Sequence, residues 1–278
     1  MARIFPWSSA AILGAFLLVA GCSKTFENAA TEVVDQSYPL DPTARLTIRN
    51  LNGSISIQGA DTAELKLHAI KKAGSSAQLR NITINVAVET GSVSIATSVV
   101  PQTKRSPLGS IGTVDYELIV PRTARIARLD LEDGKVLVEG MGGDDVRANV
   151  VDGQLTLRNC CANLHLTLAN GDLDLSFERC GPRPFFAEAQ ITHGSARVAL
   201  PQDASIRARA QTMKGKVINE FTDIVNVNGR SLQKVDLSLG SNTRSELAIH
   251  VTTGDIRLVA LKSNAVTASQ TASVAGSE

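Results

Sequence analysis

Asp133, Asp152 and Asn170 each stand one residue before a glycine, and Asp172 stands one residue after one. If the segments that carry them stack as strands, equivalent positions lie ~5 Å apart, and a column of such oxygens suits Ca²⁺. The full column of residues before these glycines reads Asn52, Thr90, Asp133, Asp152, Asn170, His193, Lys214 and Thr253. A calcium column repeats its acid at every step, whereas this mixture is ordinary turn vocabulary. The expected role is therefore in turns, and no metal site is assigned.

A second constellation would suit a polysaccharide-active enzyme. Pectate-lyase-like β-helices combine a carboxylate cluster with an arginine base, and Arg147 near Asp144 and Asp145, with Asp172 and Asp174 further on, is the nearest approach to that set. The four histidines are His68, His165, His193 and His250; His165 and His250 alternate with apolar neighbours and are expected to face solvent. A zinc site would need them to converge with Cys160 or Cys161, and their separation argues against that. The chain carries no Gly-x-Ser-x-Gly, P-loop or His-Glu-x-x-His motif. The reading is a non-enzyme without a cofactor.

Cysteine chemistry divides in two. Cys161 lies eight residues after Gly153, and Cys180 nine after Gly171, which puts them nearly in register on neighbouring repeats and makes them a candidate disulfide. Cys160 fits almost as well. Adjacent residues point to opposite sides, so only one of the two bonds Cys180. Cys22 is different. It follows Val19-Ala20-Gly21 at the end of a short apolar run that is below the ~20 residues of a membrane span and right for a signal peptide. The site resembles the bacterial lipobox, which implies a chain cut before Cys22 and lipidated on its thiol, with palmitate among the acyl groups. Several acyl chains anchor stably where one is marginal. Ser23, where an inner-membrane retention signal has Asp, implies outer-membrane sorting in a Gram-negative cell, facing the periplasm or the surface.

The elements that must position these residues follow from a repeat. Alternating apolar residues flank a turn pair ending in Gly, as in Leu46–Ile57, Leu129–Val138 and Leu166–Leu175. The glycines fall at 53, 91, 134, 153, 171, 194, 215 and 254, close to one or two multiples of twenty. Alternation means strands with one buried face, and a fixed Gly means positive φ or close backbone approach. The fold expected is all-β, a single-stranded β-solenoid of about 20-residue coils, with a β-sandwich as the alternative. Copies hidden in the long gaps would bring the stack to about eleven coils. The expected organisation is a signal peptide at 1–21, a lipidated tether and first cap at 22–43, the solenoid at 44–261, and a disordered tail at 262–278. Pro101 to Thr113 reads as a loop. Tyr116–Pro121 and Val198–Pro201 look like matching edges.

Three runs carry a family resemblance: Asn52-Gly53 to Gly59, the Leu118–Pro121 edge, and Asp133-Gly134 to Gly140. Over roughly residues 40–260 their order and spacing resemble the bacterial "putative adhesin" β-solenoid family, related to head-GIN autotransporter-adhesin-like domains. The resemblance implies a stacked β fold on an exported protein and supplies no catalytic residues. The formal charge of +1 falls to zero without Arg3, so the chain lacks the basic field that nucleic-acid binding requires. The expected function is a non-catalytic envelope scaffold or binding module. Its partners would be the membrane through the lipid and an envelope protein or glycan. The alternatives are a polysaccharide-active enzyme on the same stack and an accessory or sensor lipoprotein with one partner.

Overall fold

A computed structural model describes residues 29–100, 112–178, 180, 184–221, 233–240 and 244–261. Cys22, the expected signal peptide at 1–21, most of the expected Pro101–Thr113 loop and residues 262–278 lie outside these residues. The chain starts with β1 (Ala30–Pro39), β2 (Arg45–Ala60) and β3 (Glu64–Ala73), one helical turn α1 (Ser76–Leu79), then β4 (Ile82–Glu89) and β5 (Ser92–Val99). β6 (Thr113–Pro121) precedes three long strands, β7 (Arg125–Glu139), β8 (Asp145–Arg158) and β9 (Asn163–Ser176). Shorter strands complete it: β10 (Phe186–His193), β11 (Ala196–Pro201), β12 (Ile206–Lys214), β13 (Val217–Asn219), β14 (Lys234–Leu239), β15 (Ser245–Thr253) and β16 (Ile256–Leu261). The protein is all-β, in one mixed sheet.

The long strands bend at their glycines. In β8, Val146, Ala148 and Val150 are buried before Gly153, and Leu155 and Leu157 after it. Buried positions change from even to odd across the corner. A straight strand would send one of those sets to solvent, so the bend is what aims both limbs at one interior. β2, β7, β8 and β9 run parallel in this way, with Gly53, Gly134, Gly153 and Gly171 in register. Elsewhere two strands share the task. β10 and β11 pair with the first and second limbs of β9, and β15–β16 and β12–β13 continue the same two limbs. β5 and β6 flank the two limbs of β2.

That makes eight rungs among the described residues, where the repeat predicts about eleven coils. Their order is β5–β6, β2, β7, β8, β9, β10–β11, β15–β16, β12–β13. Stacking in chain order, the sequence expectation, holds only from β7 to β11. At both ends one rung is inserted a place inward. The shortfall has a physical reason, because two of the long gaps in the repeat supply antiparallel edge strands instead of coils. β3 and β1 extend β6, β4 extends β5, and β14 extends β12. Thr90-Gly91 joins β4 to β5 and does not belong to the corner column.

Packing across rungs alternates large and small side chains. One inward column runs Leu129, Ala148, Leu166, Ala189, Ile249 and Ala210, all buried. Leucine in one rung overhangs alanine in the next, so the interior fills without a clash. A fully buried Leu or Ile contributes ~2 kcal/mol. The column nearest the corner is apolar in the middle and polar at its ends, Asn50 and Thr212, only 3% and 2% exposed. Asn50 Nδ2 donates to Val114 O at 2.7 Å, and Thr212 Oγ1 donates to Gly254 O at 2.8 Å. Those carbonyls sit where the glycine corner meets the end rungs, so the two buried polar side chains are satisfied there.

Candidate functional site

The corner is built from its glycines. A Cβ on Gly134, Gly153, Gly171, Gly194 or Gly254 would lie 1.7–1.8 Å from the carbonyl oxygen of the glycine on the adjacent rung. Their φ values run from +131° to +144°, a region open essentially to glycine alone. Positive φ and close approach thus act at the same positions. Gly91 has a φ of +74° with open space around it, which again sets it apart.

The residues before these glycines do stack, in the order Asn52, Asp133, Asp152, Asn170, His193, Thr253, Lys214. Asn170 Nδ2 donates to Asp152 Oδ1 at 2.7 Å. Among the described residues no group of three or more His, Cys, Asp or Glu side chains is arranged to hold a metal. Asp172 is engaged elsewhere. Its Oδ1 accepts from the Ser195 N–H at 3.3 Å and from the Ser195 hydroxyl at 2.5 Å.

The same arrangement recurs at both ends of the stack. Asp115 Oδ1 accepts from Ser54 N and Oγ at 2.9 and 2.8 Å, and Asp255 Oδ1 accepts from Lys216 N at 3.0 Å. In each case the carboxylate takes the N–H of the residue following a glycine on the next rung. Burial pushes the Asp115 carboxyl up, but hydrogen bonds from Lys72 and Ser54 outweigh it and hold it below the usual range. Sequence reasoning missed these caps. The signal was the pair Gly-Asp in Asn170-Gly171-Asp172 and Thr253-Gly254-Asp255.

The lyase-like set is not assembled. Asp145 accepts from Arg125 Nη2 on the neighbouring rung, and that bond holds its carboxyl below the usual range. Asp174 pairs with Arg197 at 3.1 Å. Arg147 and Asp145 lie on first limbs, whereas Asp172 and Asp174 lie on a second limb. Other outward charges are paired in the same way: Arg49 and Arg128 share Asp130, and Arg207 and Arg209 share Asp236.

The histidines stay apart. His193 and His250 are exposed, His165 lies 6.1 Å from the ring of Phe186, and His68 Nδ1 is 2.6 Å from Asp35 Oδ1. The Asp35 bond holds the His68 imidazole above its ordinary pKa. Cys161 and Cys180 are joined, with Cα atoms 5.4 Å apart. Cys160 is buried, and its thiol points to Val138 O and Arg158 O at 3.4 and 3.5 Å. Burial pushes that thiol up to about 11. One further charge was unforeseen. Lys71 points inward on β3, is 8% exposed, and reaches Glu32 at 2.7 Å, so the edge strand β1 is held through an inward ion pair.

Among the described residues no helix is long and apolar enough to cross a membrane. A family profile described as Toastrack DUF4097 matches residues 34–259, most of the chain. No curated protein matches. Among solved structures, a "putative cell adhesion protein" from Clostridium sporogenes is similar with a TM-score of 0.53 at 15% identity, over 84% of this chain and 100% of that one. That likeness concerns the fold. A "putative adhesin" from Bacteroides fragilis gives a TM-score of 0.33 at 11% identity, over 82% and 97% of the two chains. A "putative lipid binding protein" from Parabacteroides distasonis gives 0.28 at 11%, over 84% and 97%. The two lower scores carry no argument.

Proposed function

The chain belongs to the Toastrack DUF4097 family, and from that premise we propose that it is a non-catalytic scaffold or binding module of the cell envelope. One observation carries the reading. Several outward carboxylates of the kind a catalytic cleft would use are already paired with guanidinium groups on neighbouring strands, at Asp145–Arg125, Asp174–Arg197, Asp130–Arg49 and Asp236–Arg207. Such pairs cost little to keep in water and leave ordered faces for a partner to lie against. The cell-adhesion name of the Clostridium sporogenes neighbour is consistent with a role in contact rather than turnover.

The same proposal takes the rungs as a β-solenoid and Cys22 as its lipid anchor, on the strength of the lipobox-like Val19-Ala20-Gly21-Cys22. β1 begins eight residues after Cys22, so the stack would be tethered within ~27 Å of the bilayer. Outer-membrane sorting follows from Ser23. Labelled palmitate should enter the wild-type protein and fail to enter Cys22→Ser. Crosslinking in intact cells, followed by mass spectrometry, should join the outward strand faces to an envelope protein or glycan. Sugar products released by the purified protein would refute the non-catalytic reading.

A further inference from the structure

The outer face of the first limbs carries an uneven charge. On β2, β7 and β8, Arg45, Arg49, Arg125, Arg128 and Arg147 point outward against only Asp130 and Asp145. The three strands are neighbours, so this surplus of three positive charges is packed into roughly 10 by 13 Å. Comparable areas are closer to neutral. The second limbs of the same strands show Lys135 and Arg158 with Glu139, and β10, β15 and β12 set Arg207 and Arg209 against Glu188 and Glu246. Acids bound the arginine patch rather than fill it: Asp144 precedes β8, and Glu132 and Asp133 stand at the corner.

The register sharpens the excess. Arg45 is directly opposite Arg125. Between Ile126 and Leu129, β7 carries one residue more than β8, and this bulge sets Ala127 and Arg128 together opposite Arg147. Like charges directly opposite on a sheet work against the pairing. Arg197 opposite Arg257 is also a like pair, but Asp172, Asp174 and Asp255 on the same three rungs outnumber it. On the first limbs the carboxylates are the ones outnumbered. Arg49 and Arg128 share Asp130, and Asp145 holds Arg125 while also lying in the field of Arg147. Three features define what would neutralise such a face. All five cations are arginine, whose planar fork fits the oxygens of a phosphate. Among the described residues, no large exposed apolar side chain lies between them, so the face lacks the buried anchors on which protein interfaces depend. These rungs are also the second to fourth of the stack, at the end where β1 begins, eight residues after Cys22.

We infer that this face lies flat against the anionic phospholipid headgroups of the membrane that holds the chain, its arginines meeting phosphate and its acidic corner standing at the rim of the contact. The inference rests on the lipid-anchor part of the proposed function and extends it. The acyl group brings the stack to the bilayer, and the arginine face decides which side turns towards it.

The test uses the processed chain, residues 22–278 with Cys22→Ser, which keeps every described residue and lacks the acyl group. Its binding is measured by sedimentation with vesicles of phosphatidylcholine, alone or mixed in equal parts with phosphatidylglycerol. Binding should require phosphatidylglycerol and weaken about tenfold or more between about 50 and 500 mM salt. An arginine near an anionic surface is worth about fivefold in affinity, so Arg45→Gln combined with Arg147→Gln should weaken binding about 25-fold. Neither side chain belongs to an ion pair among the described residues, and circular dichroism will check that the double variant folds. Arg158→Gln, on the second-limb face, should leave binding unchanged. Equal binding to both vesicles, no binding at low salt, or an equal loss in Arg158→Gln would overturn the face. So would a chain that binds soluble polyphosphate and ignores the vesicles, which would give the arginines to a free polyanion. If palmitate labels the wild type while the processed chain ignores phosphatidylglycerol, only the face fails. Palmitate that never enters the wild type would instead overturn the anchor, whatever the vesicles show.

Discussion

Replacing Gly153 by Ala probes the corner where the repeat is tightest. The added Cβ would stand 1.8 Å from Gly134 O, and the backbone there has a φ of +137°. Holding an L-residue in that region costs ~1–3 kcal/mol. The overlap cannot be relieved by a rotamer, since the obstacle is backbone. The rung must instead move away by more than 1 Å, which lengthens the ladder bonds on either side of the corner. Two weakened bonds at ~1 kcal/mol each bring the expected loss to about 3–5 kcal/mol. Thermal unfolding followed by circular dichroism should then fall by roughly 10 °C, at 2–4 °C per kcal/mol for a domain of this size. Gly91→Ala is the control, because Gly91 has positive φ, +74°, but nothing within 4 Å of its Cβ position. It should cost only ~1 kcal/mol. If the two variants lose stability equally, stacking of glycines is not what fixes the corner.

The other predictions concern charge and sulfur. Asp35→Asn should lower the His68 pKa toward its ordinary value in an imidazole NMR titration, because the Asp35 bond raises it. His68 is raised in the folded state, so its stabilising effect is full below the unfolded pKa and fades as pH rises through the folded one. Asp115 and Asp145 are depressed, so their contribution holds above the unfolded carboxylate range and is lost as pH falls through their folded values. Asp172→Ala, which removes the acceptor of Ser195 N–H, should cost ~1–3 kcal/mol in urea unfolding. Cys161→Ser opens a loop with a sequence separation of 19 and should cost about 3 kcal/mol, whereas native Cys160 should resist alkylation at pH 8 until the chain is unfolded.

The corner was legible in the sequence for a physical reason. A backbone that only glycine can follow leaves a glycine at the corner of seven of the eight described rungs, all but β5–β6, so the period could be read directly from 134 to 194. Alternation likewise gave the buried residues of β7, β8 and β9, since one face of each limb meets the core. The order of the rungs was not legible. Leu247 and Ala208 carry the same local pattern as Leu164, and nothing in alternation tells a coil beside its predecessor from one inserted elsewhere. The antiparallel edges β3 and β14 were hidden for the same reason. At the candidate site, the in-register column of turn residues was foreseen. The capping role of Asp172 was missed, because a carboxylate after Gly reads equally as a ligand or a cap until the next rung is in view.

The inserted rungs change how the stack must hold together. In a stack laid down in chain order, the last coil is the outermost, and its loss exposes only one new edge. Here β15–β16, the last described rung in chain order, lies between β10–β11 and β12–β13, and among the described residues β12 and β13 find their only parallel neighbours in it. The parts of the C-terminal end therefore cannot dock until residues 245–261 exist, and their pairings are long-range, which slows folding. Truncation before Ser245 should remove amide protection from β12, β13 and β14 as well as from the deleted strands, while β7 to β9 keep theirs. Hydrogen exchange measured by mass spectrometry distinguishes the cases. Full protection of β12 in the truncated chain would mean that it had moved one place inward onto β10, and that the rung order is a preference rather than a requirement.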